Sequence, residues 1–184
     1  MAAALVDFAT LAPPQRTKAA RILREALANL PSGYQAPGEA EAEVDLRRNE
    51  ADWLGYAALE DGQLIGWIGA LRSYEHGWEI HPLVVAPSHQ RRGVGSALLQ
   101  RLEVRARNEG ILTLFLGSDD DYGGTTLFGR DLFPDVMRHA ETVEATARGH
   151  ALTFYRRHGY RIVGVLPDVN GPGRPDILFA KRLV

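Results

Sequence analysis

The chain has no cysteine among its 184 residues. That removes disulfides, a thiol nucleophile and thiolate-bound metal, and it fits a cytoplasmic setting. Charge of one sign is lacking too. Twenty-one lysines and arginines stand against 23 aspartates and glutamates, a formal net charge of −2. Without a basic excess there is no reason to expect nucleic acid as a partner. No apolar run approaches the ~20 residues that cross a bilayer, so no membrane segment is expected. The stretch MAAALVDFAT has neither a basic n-region nor a long apolar core, and does not read as a signal peptide. Repeats and low-complexity tracts are missing. His76, His89, His139, His150 and His158 show no metal-ligand spacing. Each reads as a surface or turn residue, and no metal is expected.

What is present suits one domain over residues 1–184, with 45% hydrophobic and 24% charged residues. The pattern is clearest over 78–110. Ile80, Leu83, Val84 and Val85 form an apolar, β-rich run that ends at Pro87. A short loop carries Arg91 and Arg92, and a helix is expected from Gly93 to about Asn108. Val94, Leu98, Leu102 and Ala106 recur every fourth residue as its buried stripe, and Gly110 ends it.

The junction Gln90-Arg91-Arg92-Gly93-Val94-Gly95 is where chemistry is expected. The first-turn N–H groups of a helix lack intrahelical partners and sit at the positive end of its dipole. Glycine lets a bulky anion approach, and the arginines add charge, so the junction reads as a pyrophosphate cradle. It is not a Walker A loop, since no Gly-Lys-Ser/Thr follows. Nor is it a GxGxxG fingerprint, since Leu98 holds the last glycine's place.

Elsewhere the spacing predicts strands at 5–8, 53–59, 63–72, 111–116, 160–166 and 176–183. Asp61-Gly62 gives a hairpin signal between the second and third. Helices are expected at 15–29, 39–49, 140–148 and 151–158. The helix at 39–49 reads as largely exposed, its charge run a solvated face. An antiparallel meander running into a strand–helix–strand unit is an α+β pattern.

The Gln-x-x-Gly-x-Gly spacing in this setting resembles the acetyl-CoA-binding motif of the GCN5-related N-acetyltransferase (GNAT) superfamily. Four blocks sharpen the likeness: GWEIHPLVV, LFLGSDD followed by GGTTL, TFYRRHGYRIVGVLPD, and NGPGRPDILFAKRL. Together they resemble the homodimeric aminoglycoside 6′-N-acetyltransferases. The resemblance implies a central mixed, mostly antiparallel twisted sheet with flanking helices and a splayed acetyl-CoA cleft. It implies direct acetyl transfer from acetyl-CoA to the 6′-amine of an aminoglycoside, conferring antibiotic resistance, by a homodimer. Neither a metal nor a membrane is expected as a partner.

By position, Leu83, Val84 and Val85 would meet the thioester and pantetheine arm. Gln90, Arg91, Arg92, Gly93, Val94, Gly95 and Ser96 would hold the pyrophosphate. The Leu83 N–H would polarise the thioester carbonyl. Glu79 matches the family's acidic residue, as base through water or as anchor for the acceptor amine. His81, two residues along the strand, would share its face and assist. Tyr155 would protonate the leaving thiolate, and Asp119 and Asp120 match an acidic pair that meets the polycationic acceptor. Residues 1–50 and 128–150 match weakly. Two alternatives stay open: a GNAT enzyme acting on a polyamine, small metabolite or protein amine, and a non-catalytic acyl-CoA-binding module.

Overall fold

A computed structural model describes residues 3–31 and 33–184. The chain divides into two compact units, residues 1–114 with 183–184, and residues 115–182. Its strands and helices bear out the α+β class.

In the first unit β1 (Ala4–Asp7), β2 (Trp53–Glu60), β3 (Gln63–Tyr74) and β4 (Gly77–Val85) lie side by side in chain order. Each neighbouring pair is antiparallel. Asp61 (φ 49°) and Gly62 (φ 76°) make the tight turn between β2 and β3. Two left-handed residues match the twist of the strands they join.

Two helices, α1 (Pro13–Ala26) and α2 (Glu39–Asn49), serve one face of these strands. Ala19, Ala20, Ile22 and Leu23 of α1 are buried in a cluster with Phe8, Trp53, Trp67 and Val84. The Trp67 indole donates to the Ala19 carbonyl at 3.2 Å, fixing that face. Helix α3 (Val94–Asn108) buries Leu98, Leu99, Leu102 and Ala106 and packs against β2, β3 and β4. β3 is accordingly buried at every position from Leu64 to Ala70. Helices on both sides of a sheet leave its central strands no solvated face.

Helix α2 corrects the sequence reading. Ala40, Glu43 and Val44 are buried, so its charge run is not simply a solvated face. Ala40, Glu43, Val44 and Arg47 follow the i, i+3, i+4, i+7 spacing of a single stripe. That stripe faces the strands and carries an ion pair inward.

The second unit takes up β5 (Thr113–Asp119) from its third residue. It continues with α4 (Val136–Thr142), α5 (Leu152–Arg157), β6 (Arg161–Leu166) and β7 (Asp176–Arg182). β7 lies between β5 and β6, and pairs antiparallel with β6. The helix expected at 140–148 is not there: α4 ends at Thr142. The chain then runs extended beside 124–126. Thr126 N–H donates to Glu144 O at 2.9 Å, and Thr146 N–H to Gly124 O at 2.8 Å. β-branched Val143 and Thr146 suit that course better than a helix.

Candidate active site

The expected catalytic strand β4 is interrupted where the chemistry is expected. Ala70 pairs with Ile80, but Ile68 pairs with Leu83. Gly69 alone therefore faces both His81 and Pro82, a β-bulge on β4. One extra residue flips side-chain parity along the strand. Glu79 stands opposite Leu71, which packs into the α1–α2 cluster. Glu79 and His81 thus share that face, as the spacing predicts, while the Leu83 side chain turns to the other.

The same register orients the Leu83 backbone. Ala86 N–H donates to Ile65 O at 2.9 Å. Hydrogen-bonded and non-bonded pairs alternate along an antiparallel ladder. Ile68–Leu83 is then a non-bonded pair, and the Leu83 N–H points away from β3. That leaves a donor at the end of the bulge with no partner on β3.

Trp53 secures the bulge. Its indole N–H donates to the His81 carbonyl at 2.8 Å, and its ring lies over Gly55 and Gly69. A Cβ at Gly69 would stand 1.9 Å from the ring, so only glycine leaves room for it.

The His81 ring is held from α2. Its Nε2 lies 3.2 Å from Glu43 Oε1 and 3.3 Å from the Tyr34 hydroxyl. Arg47 Nε donates to the same Glu43 oxygen at 2.6 Å, and Arg47 Nη1 reaches Glu50 at 2.5 Å. Burial alone would raise the Glu43 carboxyl, but bonds from His81 and Arg47 outweigh it and hold it below its usual range. Burial and the neighbouring Glu43 charge push the Tyr34 phenol up to about 12. Tyr34, Glu43, Arg47 and Trp53 were all missed in the sequence. The signal was there for one pair: Glu43 and Arg47 sit in the apolar stripe of α2.

The cradle residues lie together between β4 and α3. Gly93 caps α3 with φ 86°, a left-handed turn that puts Val94, Gly95 and Ser96 at the helix start. Open space surrounds the Cα of Gly93, so glycine serves the backbone turn rather than packing there. Gln90 Nε2 donates to the Val85 carbonyl at 3.1 Å and ties the loop to the strand's end. Glu60 on β2 braces the loop from the other side, meeting His89 Nε2 at 3.2 Å and Arg92 at 3.5 Å. Arg91 is exposed. A short basic loop entering a helix through a left-handed glycine suits a diphosphate.

In the second unit the two aspartates part ways. Asp120 is fully buried, and its carboxylate accepts from Gly124 N–H (2.7 Å), Thr125 N–H (2.8 Å) and Thr125 Oγ1 (2.7 Å). It pins its own loop and presents no open face to an acceptor, which corrects the binding role expected for it. Asp119 is half-buried and accepts from Asn170 Nδ2 at 2.5 Å. His150, expected at the surface, is buried. Its Nδ1 accepts from Leu152 N–H at 3.0 Å, and its Nε2 lies 3.2 Å from the Asp119 carbonyl. Burial lowers its proton affinity.

Tyr155 on α5 is buried against Phe154, Tyr160 and Phe179. Burial pushes its phenol well above the ordinary range, so it stays protonated. Among the described residues, no cluster of three or more His, Asp or Glu is placed to hold a metal. Nor, among the described residues, is any helix long and apolar enough to cross a membrane.

β4 thus bulges beside the pair of half-buried His81 and buried Glu43, and leads through a short basic loop and a left-handed glycine into α3. Residues 19–124 match the acetyltransferase (GNAT) family, and the chain belongs to it. A solved aminoglycoside 6′-N-acetyltransferase complexed with coenzyme A is 35% identical, with TM-score 0.88 over 98% of this chain and 97% of that one. The aminoglycoside 6′-N-acetyltransferase from Enterococcus faecium is 34% identical, with TM-score 0.86 over the same shares, 98% and 97%. An aminoglycoside 6′-acetyltransferase of type Ii is 30% identical, with TM-score 0.72, again over 98% and 97%. A search of curated proteins gives no significant match.

Proposed function

We propose that residues 1–184 act as one domain that transfers acetyl from acetyl-CoA to the 6′-amine of an aminoglycoside. The observation that carries the reading is the β4 bulge. It turns the Leu83 N–H off the ladder at the point where Glu79 and His81 share a face. Similarity to aminoglycoside 6′-N-acetyltransferases along nearly the whole chain supports the substrate class.

The residues have distinct tasks. The α3 start, with Gln90, Arg91, Arg92, Gly93, Val94, Gly95 and Ser96, holds the diphosphate of acetyl-CoA. The backbone from Leu83 through Val84 to Val85 lines the pantetheine arm. Glu79 anchors the acceptor ammonium or draws its proton through water, and His81 assists. The freed amine attacks the thioester carbon, and the Leu83 N–H stabilises the oxyanion that forms. As the C–S bond breaks, the protonated Tyr155 phenol supplies a proton to the thiolate. Asp119 meets further ammonium groups of the acceptor, and Asp120 holds the loop that carries it.

Acetylation of an aminoglycoside removes one of its cationic amines, so resistance in the cytoplasm follows from the same reaction. The second unit leaves Phe133, Met137, Val163 and Val169 more than half exposed, apolar surface that a second copy would cover in a homodimer.

The test is free-thiol release from acetyl-CoA with aminoglycosides, polyamines and peptides offered separately. A kcat/KM for aminoglycosides at least tenfold above the others is expected. Robust peptide or polyamine turnover without aminoglycoside turnover would overturn the substrate assignment. Tight acetyl-CoA binding with no turnover of any amine would mark a binding module.

A further inference from the structure

The geometry points to Glu43 as a positioning residue for the reaction: it holds His81 as the Nε2–H tautomer and keeps Nδ1 as the lone pair that takes the acceptor's proton. The inference rests on the transferase reading above and adds a proton path to it.

One carboxylate oxygen joins the two side chains. Glu43 Oε1 receives Arg47 Nε at 2.6 Å and lies 3.2 Å from His81 Nε2. Arginine only donates, so that oxygen must accept. The carboxyl is held below its ordinary range and carries no proton to offer. His81 Nε2 must then be the donor, so in the neutral form of the ring the lone pair falls on Nδ1. The Tyr34 hydroxyl lies 3.3 Å from Nε2, and the Glu43 charge beside it helps to keep that phenol protonated. Nε2 is thus enclosed by α2 and the segment before it. No described residue hydrogen-bonds Nδ1.

Position follows from the backbone. Trp53 fixes the His81 carbonyl, and the bulge puts the ring on the Glu79 face. Charged and titratable groups around the ring are Glu79 on its own strand, Glu43 and Arg47 on α2, and Tyr34 before α2. When Nδ1 takes a proton from the acceptor ammonium, directly or through water, the products are a neutral amine and an imidazolium. The new positive charge is shared through Nε2–H with the Glu43 carboxylate. Arg47 is already balanced by Glu50, so Glu43 keeps capacity for that charge. A buried carboxylate that sets a histidine's tautomer and steadies its protonated form is a recurrent catalytic device.

The test pairs kinetics with a readout that needs no acceptor. Glu43→Gln keeps an oxygen toward Arg47 and His81 and removes the charge. Its kcat should fall about tenfold with the KM for acetyl-CoA unchanged, and Glu43→Asp should recover part of the rate. In a His81→Ala background Glu43→Gln should cost nothing further, because the two act as one unit. An equal loss in both backgrounds, or wild-type kcat in Glu43→Gln, would overturn the proposal. Nitrogen-15 NMR of the His81 ring in the acceptor-free protein should show Nε2 protonated and Nδ1 bare. In Glu43→Ala the tautomer ratio should relax by roughly ten- to a hundredfold, the worth of one charge-assisted hydrogen bond. A proton on Nδ1 in the wild type would overturn the proposal even if the acceptor were another amine. Failure to turn over aminoglycosides, with the tautomer as described, would instead overturn only the substrate assignment.

Discussion

Gly69→Ala adds one methyl group, and the structure says where it goes. The new Cβ would stand 1.9 Å from Trp53 Cζ2 and 2.4 Å from Nε1, far inside contact distance. The indole has little freedom to yield. It packs edge-on against Phe8 with centroids 5.2 Å apart and against Trp67 at 6.4 Å. Moving it breaks the 2.8 Å bond to the His81 carbonyl. Overpacking a dense core costs about 1–3 kcal/mol, and a buried carbonyl left unpaired costs a similar amount. Because the two are linked, a total of about 2–4 kcal/mol is expected. For a chain of this size that lowers Tm by roughly 5–15 °C. Thermal unfolding followed by near-ultraviolet circular dichroism reads both the melting point and the indole environment. Trp53→Ala removes the obstacle, so Gly69→Ala should add little in that background. A Gly69→Ala protein melting with the parent, or an undiminished loss in the Trp53→Ala background, would refute the steric account of the bulge.

Asp120→Asn replaces one carboxylate oxygen with an NH₂ group where only acceptors fit. A loss of about 2–4 kcal/mol is expected by chemical denaturation, and an unchanged midpoint would remove Asp120 as the pin of its loop. His150 is held neutral, with its folded proton affinity below the ordinary value of 6.5. The unfolded chain therefore binds more protons than the folded one as pH falls below 6.5, and stability drops there. His150→Gln should flatten that part of the stability–pH curve, and an unaltered slope would assign it to other groups. Tyr155→Phe keeps the ring contacts, so the fold should lose less than about 1 kcal/mol while kcat falls about tenfold or more. A full-rate variant would reduce Tyr155 to a packing residue.

The legible part of the chain was the part built from local periodicity. The apolar run of β4, the four-residue stripe of α3 and the start of that helix at Gly93 each have a short-range signal, and the structure has them at the expected places. The Asp61-Gly62 turn was legible for the same reason. The bulge was not, because it arises from the register between β3 and β4 and from what Gly69 meets on a third strand. Glu43 was hidden by composition: a helix opening Glu-Ala-Glu-Ala-Glu looks solvated until its stripe is counted. The 143–146 segment went wrong because its extended course depends on pairing with 124–126, far along the chain. Asp119 and Asp120 are adjacent and chemically identical in sequence. Only three donors converging on Asp120 separate pin from open carboxylate.

The most direct measurement is the site of acetylation on kanamycin, using carbon-13-labelled acetyl-CoA, with product mass and NMR assignment of the labelled amide. The account predicts a single acetyl group on the 6′-nitrogen. Labelled acetate with unmodified kanamycin, or an acetyl group on a different nitrogen, would contradict it.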